Sequence, residues 1–380
     1  MAARAQQVDI VVIGAGMAGA SVAAELAGAG AGRIVLLERE AQPGYHTTGR
    51  SAAIFTLAYG PPVIRALTRA SHPFFLGQGP AGTPQDLLRT RGVMFAARAD
   101  QREALAALHA ELGEAVRPLG ADQMAERVPL LRPGYAAAGL IDERAADVDV
   151  AALHQHYLRV FRADGGHVVT GAEVRGLTRD GAGWRVETEA GDFTAPVVVN
   201  AAGAWADEVA ALAGVAPLGL RPLRRTAILV AAPEGMVPDP WPMVVDAEEQ
   251  FYLKPDAGKL LLSPADATLS PPCDAQPEEL DVAICVDRIE TAFDLQVRRI
   301  ESKWAGLRSF LPDGDPVAGF AQDAPGFFWL AGQGGYGIQS APALARAAAA
   351  LVRGRAVPGD IADLGVSATC LAPARVREMA

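Results

Sequence analysis

The sequence predicts an α/β fold, a parallel sheet covered by helices and joined to a second unit built on an antiparallel sheet. Three observations predict it. An apolar strand, a glycine loop and an alanine-rich helix open the chain and lead into a second apolar strand. A strand, a glycine loop and a helix close it. Between them lie short β-rich runs separated by turn residues, the pattern of antiparallel strands.

The elements follow in order. Residues 8–13, "VDIVVI", are rich in β-branched residues and read as a buried strand. The loop Gly14–Gly19 leads into a helix to about residue 28, and "RIVLLERE" (33–40) is the next strand, completing a βαβ unit. Residues 101–116 place Leu105, Leu108 and Leu112 on one helical face. The segment 149–166 reads as a helix with Asp149 at its N-cap and glycines at its end. "WRVETEA" and "FTAPVVVNAAG" read as strands flanking a turn at 190–192. "RTAILVAA" (225–232), "QFYLKP" and "GKLLLSPA" (250–265) read as antiparallel strands, the last two joined by "DAG". A proline-rich loop spans 270–279, and residues 326–354 form the closing strand, glycine loop and helix.

With 380 residues the chain is too long for one small core. Half the residues are hydrophobic and 21% are charged, which fits a globular chain. Net charge is −10 and no basic run occurs, so nucleic acid is not an expected partner. Cys273, Cys285 and Cys370 have no metal-ligand spacing and are expected as isolated buried thiols. No apolar run reaches ~18 residues, so no transmembrane segment is expected. The leader "MAARAQQ" runs straight into a strand rather than a signal core, and a cytoplasmic location is expected.

"GAGMAG" sets Gly14, Gly16 and Gly19 in GxGxxG spacing. The first glycine permits a tight turn, the second lets backbone approach a pyrophosphate, and the third lets helix and strand pack closely. The loop follows a strand and precedes a helix, and Glu38 ends the next strand, where a carboxylate accepts from ribose hydroxyls. This is a Rossmann-like dinucleotide site, and an acid at 38 disfavours a 2′-phosphate. The spacing alone does not separate NAD from FAD. The second loop, Gly332 to Gln339, stands at a helix N-terminus, which suits a phosphate or a developing negative charge. His154 and His156 lie two apart on a helix and do not face one another, so no metal is expected.

"VVIGAGMAG", "LLEREAQPGYHTTGRSAA", "VVVNAAGAW", "FYLKPDAG", "WAGLRSF" and "AGQGGYGIQS" occur in order over nearly the whole chain. Together they resemble the D-amino-acid oxidase/dehydrogenase (DAO) superfamily of FAD-dependent oxidoreductases, and within it most of all the D-arginine dehydrogenases. The resemblance implies a discontinuous FAD-binding domain, here 1–83, 147–215 and 310–380. It also implies a substrate-binding domain with an antiparallel sheet, here 84–146 and 216–309. It implies noncovalent FAD and a D-amino acid as substrate. A hydride would pass from the α-carbon to flavin N5, and the imino acid would hydrolyse to a 2-oxo acid and ammonia. The electron acceptor is left open between oxygen, a quinone and another carrier.

Residue by residue, the resemblance puts Arg225 and Arg308 on the substrate carboxylate, a role that suits a planar guanidinium. Tyr252 falls near the carboxylate and the reacting carbon. Tyr59 falls on the lid that closes over substrate, with Thr56 on the same loop. Gly335 and Gln339 fall where the family touches substrate or flavin. Arg50, Ser51, Ala202, Gly203, Gly334, Gly337 and Ile338 fall beside the cofactor, with Gly332 in the same closing loop. Two positions depart from the D-arginine dehydrogenase pattern. Ile54 replaces a histidine and Val93 replaces a glutamate that holds the substrate guanidinium. With Met243 and Val245 they predict a pocket for an apolar side chain. Oxidation of a secondary amine such as an N-substituted glycine, or of a 2-hydroxy acid, is the alternative on the same fold. A dinucleotide-binding module without catalysis is the rival from another class.

Overall fold

The computed structural model describes residues 5–377. Residues 1–4 and 378–380, the two ends of the expected FAD-binding domain, lie outside the described residues. The central sheet has six strands in the order His167–Val169, Ile34–Leu37, Ile10–Ile13, Val197–Asn200, Phe327–Ala331 and Val317–Phe320. All neighbours run parallel except the last pair, which is antiparallel. Its inner strands are buried on both faces, which explains their unbroken apolar runs. Strand alternation divides them between two cores. Ile10, Val12, Ile34 and Leu36 pack against the helices Met17–Gly28, Val150–Ala163 and Ala341–Val352. Val11, Ile13, Val35 and Leu37 face the other way, against Leu177, Trp184, Val186 and Phe193. Those four belong to a separate four-stranded sheet, so helices cover one face and a second sheet much of the other.

"FTAPVVVNAAG" is predicted as one strand, but it divides at Pro196. Phe193–Ala195 joins the four-stranded sheet and Val197–Asn200 the central one. Proline has no N–H for a ladder and marks the point where the chain changes sheets. The helix expected over 101–116 is Arg102–Leu112, ended by Gly113 at φ 53°. Asp149 caps Val150–Ala163 as predicted, its side chain accepting from the Ala152 N–H at 2.7 Å.

The largest sheet has nine strands among the described residues. Arg221–Ala231 is its long axis, flanked by Ser302–Phe310 and Lys259–Ser263. Lys259–Ser263 continues through Tyr252–Asp256 and Met243–Asp246 to Val93–Ala97. The sheet is antiparallel apart from one parallel junction, Met243–Asp246 with Val93–Ala97. Ala257 and Gly258 (φ 49° and 79°) make the tight turn foreseen at "DAG". The cysteines depart from expectation. Cys285 is buried, Cys370 is half-buried, and Cys273 is exposed because it sits in the proline-rich loop rather than in a core.

A three-stranded sheet of Ile54–Phe55, Ala146–Val148 and Leu88–Thr90 ties the stretch after Ser51 to the rest. Beyond Gly60 the chain turns helical at once. Pro62–Phe75 starts with proline in its first turn, where the missing N–H costs nothing. No described helix is long and apolar enough to cross a membrane.

Candidate active site

A cavity of about 510 Å³ runs from the glycine loop of the central sheet to the inner face of the large sheet. At the first end Gly14 takes φ 96°, and a Cβ there would stand 2.6 Å from the Ala201 carbonyl oxygen. Gly16 is the N-cap of Met17–Gly28. Glu38 is buried, accepts from the Ala15 and Glu40 N–H groups at 3.1 and 3.0 Å, and faces the cavity. Burial raises its pKa above the ordinary carboxylate value. Thr48, which no sequence argument singled out, accepts from the Met17 N–H at 2.9 Å and also lines the cavity. A helix N-terminus, a glycine loop too tight for side chains and a buried carboxylate form a donor set that fits a dinucleotide.

The middle and far parts of the cavity hold Arg50, Ser51, Ala202, Gly203, Gly334, Gly335, Gly337, Ile338 and Gln339. Arg50 donates to the carbonyls of Ala275 and Ala305, each at 2.9 Å, and pairs with Asp274, so its guanidinium anchors local structure. Ser51 Oγ accepts from the Ala53 N–H at 3.0 Å. Two of the expected cofactor residues do not line the cavity. Gly19 lies against Gly14, where a Cβ would sit 1.8 Å from the carbonyl oxygen, so it serves close packing. Gly332 packs against Leu311 in the same manner.

The large sheet supplies the rest by alternation. Arg225 stands opposite Gly306 in the register, which puts Arg308, two residues on, diagonally beside it on the same face. Arg224 points the other way and is consumed by Glu278 and Asp281. Arg225 and Arg308 line the cavity, and neither has an acidic partner among the described residues. The Nε atom of each is buried without a hydrogen-bond partner. Burial, and then the neighbouring Arg308, lower the pKa of Arg225. Two unpaired guanidiniums side by side are costly, and an anion removes that cost. Gly335 makes room for the arrangement, since a Cβ there would lie 3.0 Å from Arg308 Nη1.

Tyr252, Val245, Met243 and Val93 follow one another across the same face, Val245 opposite Tyr252 and Met243 opposite Val93. They form one apolar cluster with Ile54, which arrives from the three-stranded sheet. Burial raises the pKa of Tyr252 and keeps its hydroxyl protonated. Tyr59 brings its hydroxyl within 3.4 Å of Arg308 Nη1, and its ring meets Tyr336 edge-on at 4.7 Å between centroids. Gln339 Oε1 accepts from the Thr56 N–H at 3.2 Å. The Thr56 hydroxyl donates to buried Asp142 at 2.6 Å and accepts from the Ala58 N–H at 3.1 Å, so it shapes the loop. Ala53, Glu249 and Ala265 line the cavity with positive φ (56°, 54° and 53°), backbone strain of the kind that clusters at functional sites. Among the described residues no group of His, Cys, Asp or Glu could hold a metal ion.

The FAD-dependent oxidoreductase family model named DAO matches residues 9–351. The chain belongs to that family. Its cofactor is FAD, and this DAO-family chain is an oxidoreductase. It is 25% identical to the uncharacterized oxidoreductase YurR of Bacillus subtilis, over 92% of this chain and 96% of that one. It is 29% identical to a D-amino acid dehydrogenase of Cereibacter sphaeroides, over 94% of each. It is 26% identical to the mitochondrial sarcosine dehydrogenase of Mus musculus, spanning only 37% of that longer protein. Among solved structures, glycine oxidase from Geobacillus kaustophilus shares the fold with a TM-score of 0.79 at 23% identity, over 92% of this chain and 95% of that one. L-proline dehydrogenase from P. horikoshii shares it with a TM-score of 0.80 at 20% identity, over 99% of each.

Proposed function

We propose that this DAO-family chain oxidises D-amino acids with apolar side chains, using noncovalently held FAD. The observation that carries the proposal is the pair Arg225 and Arg308, paired with no acid among the described residues and set beside an aliphatic wall of Ile54, Val93, Met243 and Val245. The motif likeness to D-arginine dehydrogenases and the similarity to a D-amino acid dehydrogenase support the reaction class. The two aliphatic replacements argue against a cationic side chain.

Gly14, Gly16 and Glu38 would hold the nucleotide part of FAD. Ser51, Ala202, Gly203, Gly334, Gly337 and Ile338 would line its remaining length, with Arg50 bracing the strand Ser302–Phe310 beside it. Bound FAD supplies the acceptor for the hydride that leaves the substrate α-carbon. The two arginines grip the substrate carboxylate and fix its orientation, which sets the stereochemistry. Tyr252 donates a hydrogen bond from a hydroxyl that burial keeps protonated. Tyr59 and the Thr56 loop close the site, and Gln339 steadies that loop. The imino acid leaves and hydrolyses to a 2-oxo acid and ammonia. The division into a FAD-binding unit (1–83, 147–215, 310–380) and a substrate unit (84–146, 216–309) belongs to the same proposal.

The test is anaerobic reduction of the yellow protein with D-leucine, D-methionine, D-phenylalanine and D-arginine, beside their L isomers and sarcosine. Bleaching by the apolar D isomers with the highest kcat/KM supports the proposal. Loss of the distal ionic partner is expected to cost D-arginine about 1.5–3 kcal/mol, roughly ten- to a hundredfold. A preference for D-arginine ends the apolar assignment, and a preference for sarcosine moves the enzyme to secondary amines. Readmitting air afterwards decides whether oxygen accepts the electrons.

A further inference from the structure

The cavity is lined by an exposed carboxylate, Glu249, that the proposed reaction does not use. Its side chain has no hydrogen-bond or ion-pair partner among the described residues. Its backbone is held at φ 54°, a conformation that L side chains rarely adopt. The segment around it is built to keep it there. Asp246, with no exposure, accepts from the N–H groups of Glu248 and Gln250 at 3.0 and 3.2 Å. Gln101 Nε2 donates to both Asp246 carboxylate oxygens at 3.0 Å, and the Glu249 N–H donates to the Asp246 carbonyl at 2.8 Å. A buried carboxylate thus organises a turn whose exposed product is a second carboxylate beside the cavity. That second charge is felt by Arg225, which lines the cavity, and by Tyr336.

We propose that Glu249 is a specificity-determining residue that rejects ligands whose far end bears a second carboxylate in favour of those whose far end is neutral. The proposal rests on the reading that Arg225 and Arg308 hold the near carboxylate. A ligand so held extends from the arginines into the cavity that Glu249 also lines, and a fixed charge in that cavity discriminates by repulsion. Without Glu249, the arginine pair would draw dicarboxylates more strongly than monocarboxylates.

Three five-carbon acids without an α-amine test this with no dependence on turnover: valerate, glutarate and 5-aminovalerate. Their dissociation constants are read from the perturbed flavin absorbance of the holoenzyme, in wild type, Glu249→Gln and Glu249→Lys. The ratio of the glutarate to the valerate constant is expected to fall about tenfold in Glu249→Gln, as for one charge pair in a partly hydrated site, and further in Glu249→Lys. The ratio of the 5-aminovalerate to the valerate constant is expected to rise. Ratios within about twofold of wild type, or no binding of any of the three acids, overturn the proposal. Failure of D-amino acids to bleach the flavin, with the ratios moving as stated, overturns the D-amino-acid reading and leaves the charge filter standing.

Discussion

Arg224 and Arg225 are neighbours in sequence and opposites in role. One saturates itself on Glu278 and Asp281, while the other faces the cavity with its Nε unpaired. The choice between them was legible from the motif, but its physical cause is strand alternation around the register Arg225–Gly306. On the proposed reading, replacing Arg308 by alanine removes a charge-assisted substrate contact worth about 1.5–3 kcal/mol, so kcat/KM should fall roughly ten- to a hundredfold. Stopped-flow reduction checks this, with an unchanged flavin spectrum showing that the cofactor site survives. A near-normal kcat/KM would remove Arg308 from the carboxylate site. Thr56 carries the opposite lesson. The motif puts it on the lid loop with Tyr59; it lines the cavity, and its hydroxyl is engaged by Asp142 and Ala58. Asp142 lies 86 residues away in sequence, and no local pattern announces that contact.

The loop and helix Gly14–Gly28 were readable almost to the residue, because each glycine answers a local steric demand. Gly14→Ala would drive a methyl group toward the Ala201 carbonyl, 2.6 Å away, at a φ that alanine resists. Purified Gly14→Ala protein is expected to lose bound FAD, measured as the ratio of flavin to protein absorbance. A wild-type ratio would show that the turn tolerates the methyl group. The helices Pro62–Phe75 and Val150–Ala163 carry a different consequence. Burial lowers the pKa of His72, His154 and His156 below the ordinary value of 6.5. In the unfolded chain these rings protonate near 6.5, while in the folded protein they stay neutral to lower pH. Their contribution to stability is therefore complete above the unfolded value and is lost as pH falls through the depressed ones. Tm should drop as pH is lowered from about 7.5 to about 5.5, and less steeply in His156→Gln. Equal slopes in the two proteins would exclude His156 as a source.

The cavity exists because two sheets of different origin are held against each other. The three-stranded sheet that carries Ile54 is in turn tied to the large sheet by a buried charge cluster. Arg91 binds Asp147 through Nε at 2.7 Å, and Lys254 Nζ reaches the same carboxylate at 3.1 Å. Asp147 belongs to the strand that pairs with Ile54, and Lys254 to the large sheet near Tyr252. Asp147→Ala removes the carboxylate that two buried cations share, leaving Lys254 only its longer pair with Asp256 at 3.8 Å, and should cost about 3 kcal/mol. Urea unfolding of the holoenzyme checks it, and an unchanged midpoint would show that the cluster does not brace the site.

Composition, glycine spacing and strand periodicity were enough to foresee an α/β dinucleotide-binding chain with an added antiparallel sheet, because those signals arise within a few neighbouring residues. The conjunction of Ile54 with Val93, the common face of Arg225 and Arg308, the diversion of Thr56 to Asp142 and the presentation of Glu249 to the cavity were settled only in three dimensions. Each depends on register between strands far apart in sequence or on hydrogen bonds across the fold, and a linear chain carries no local trace of either.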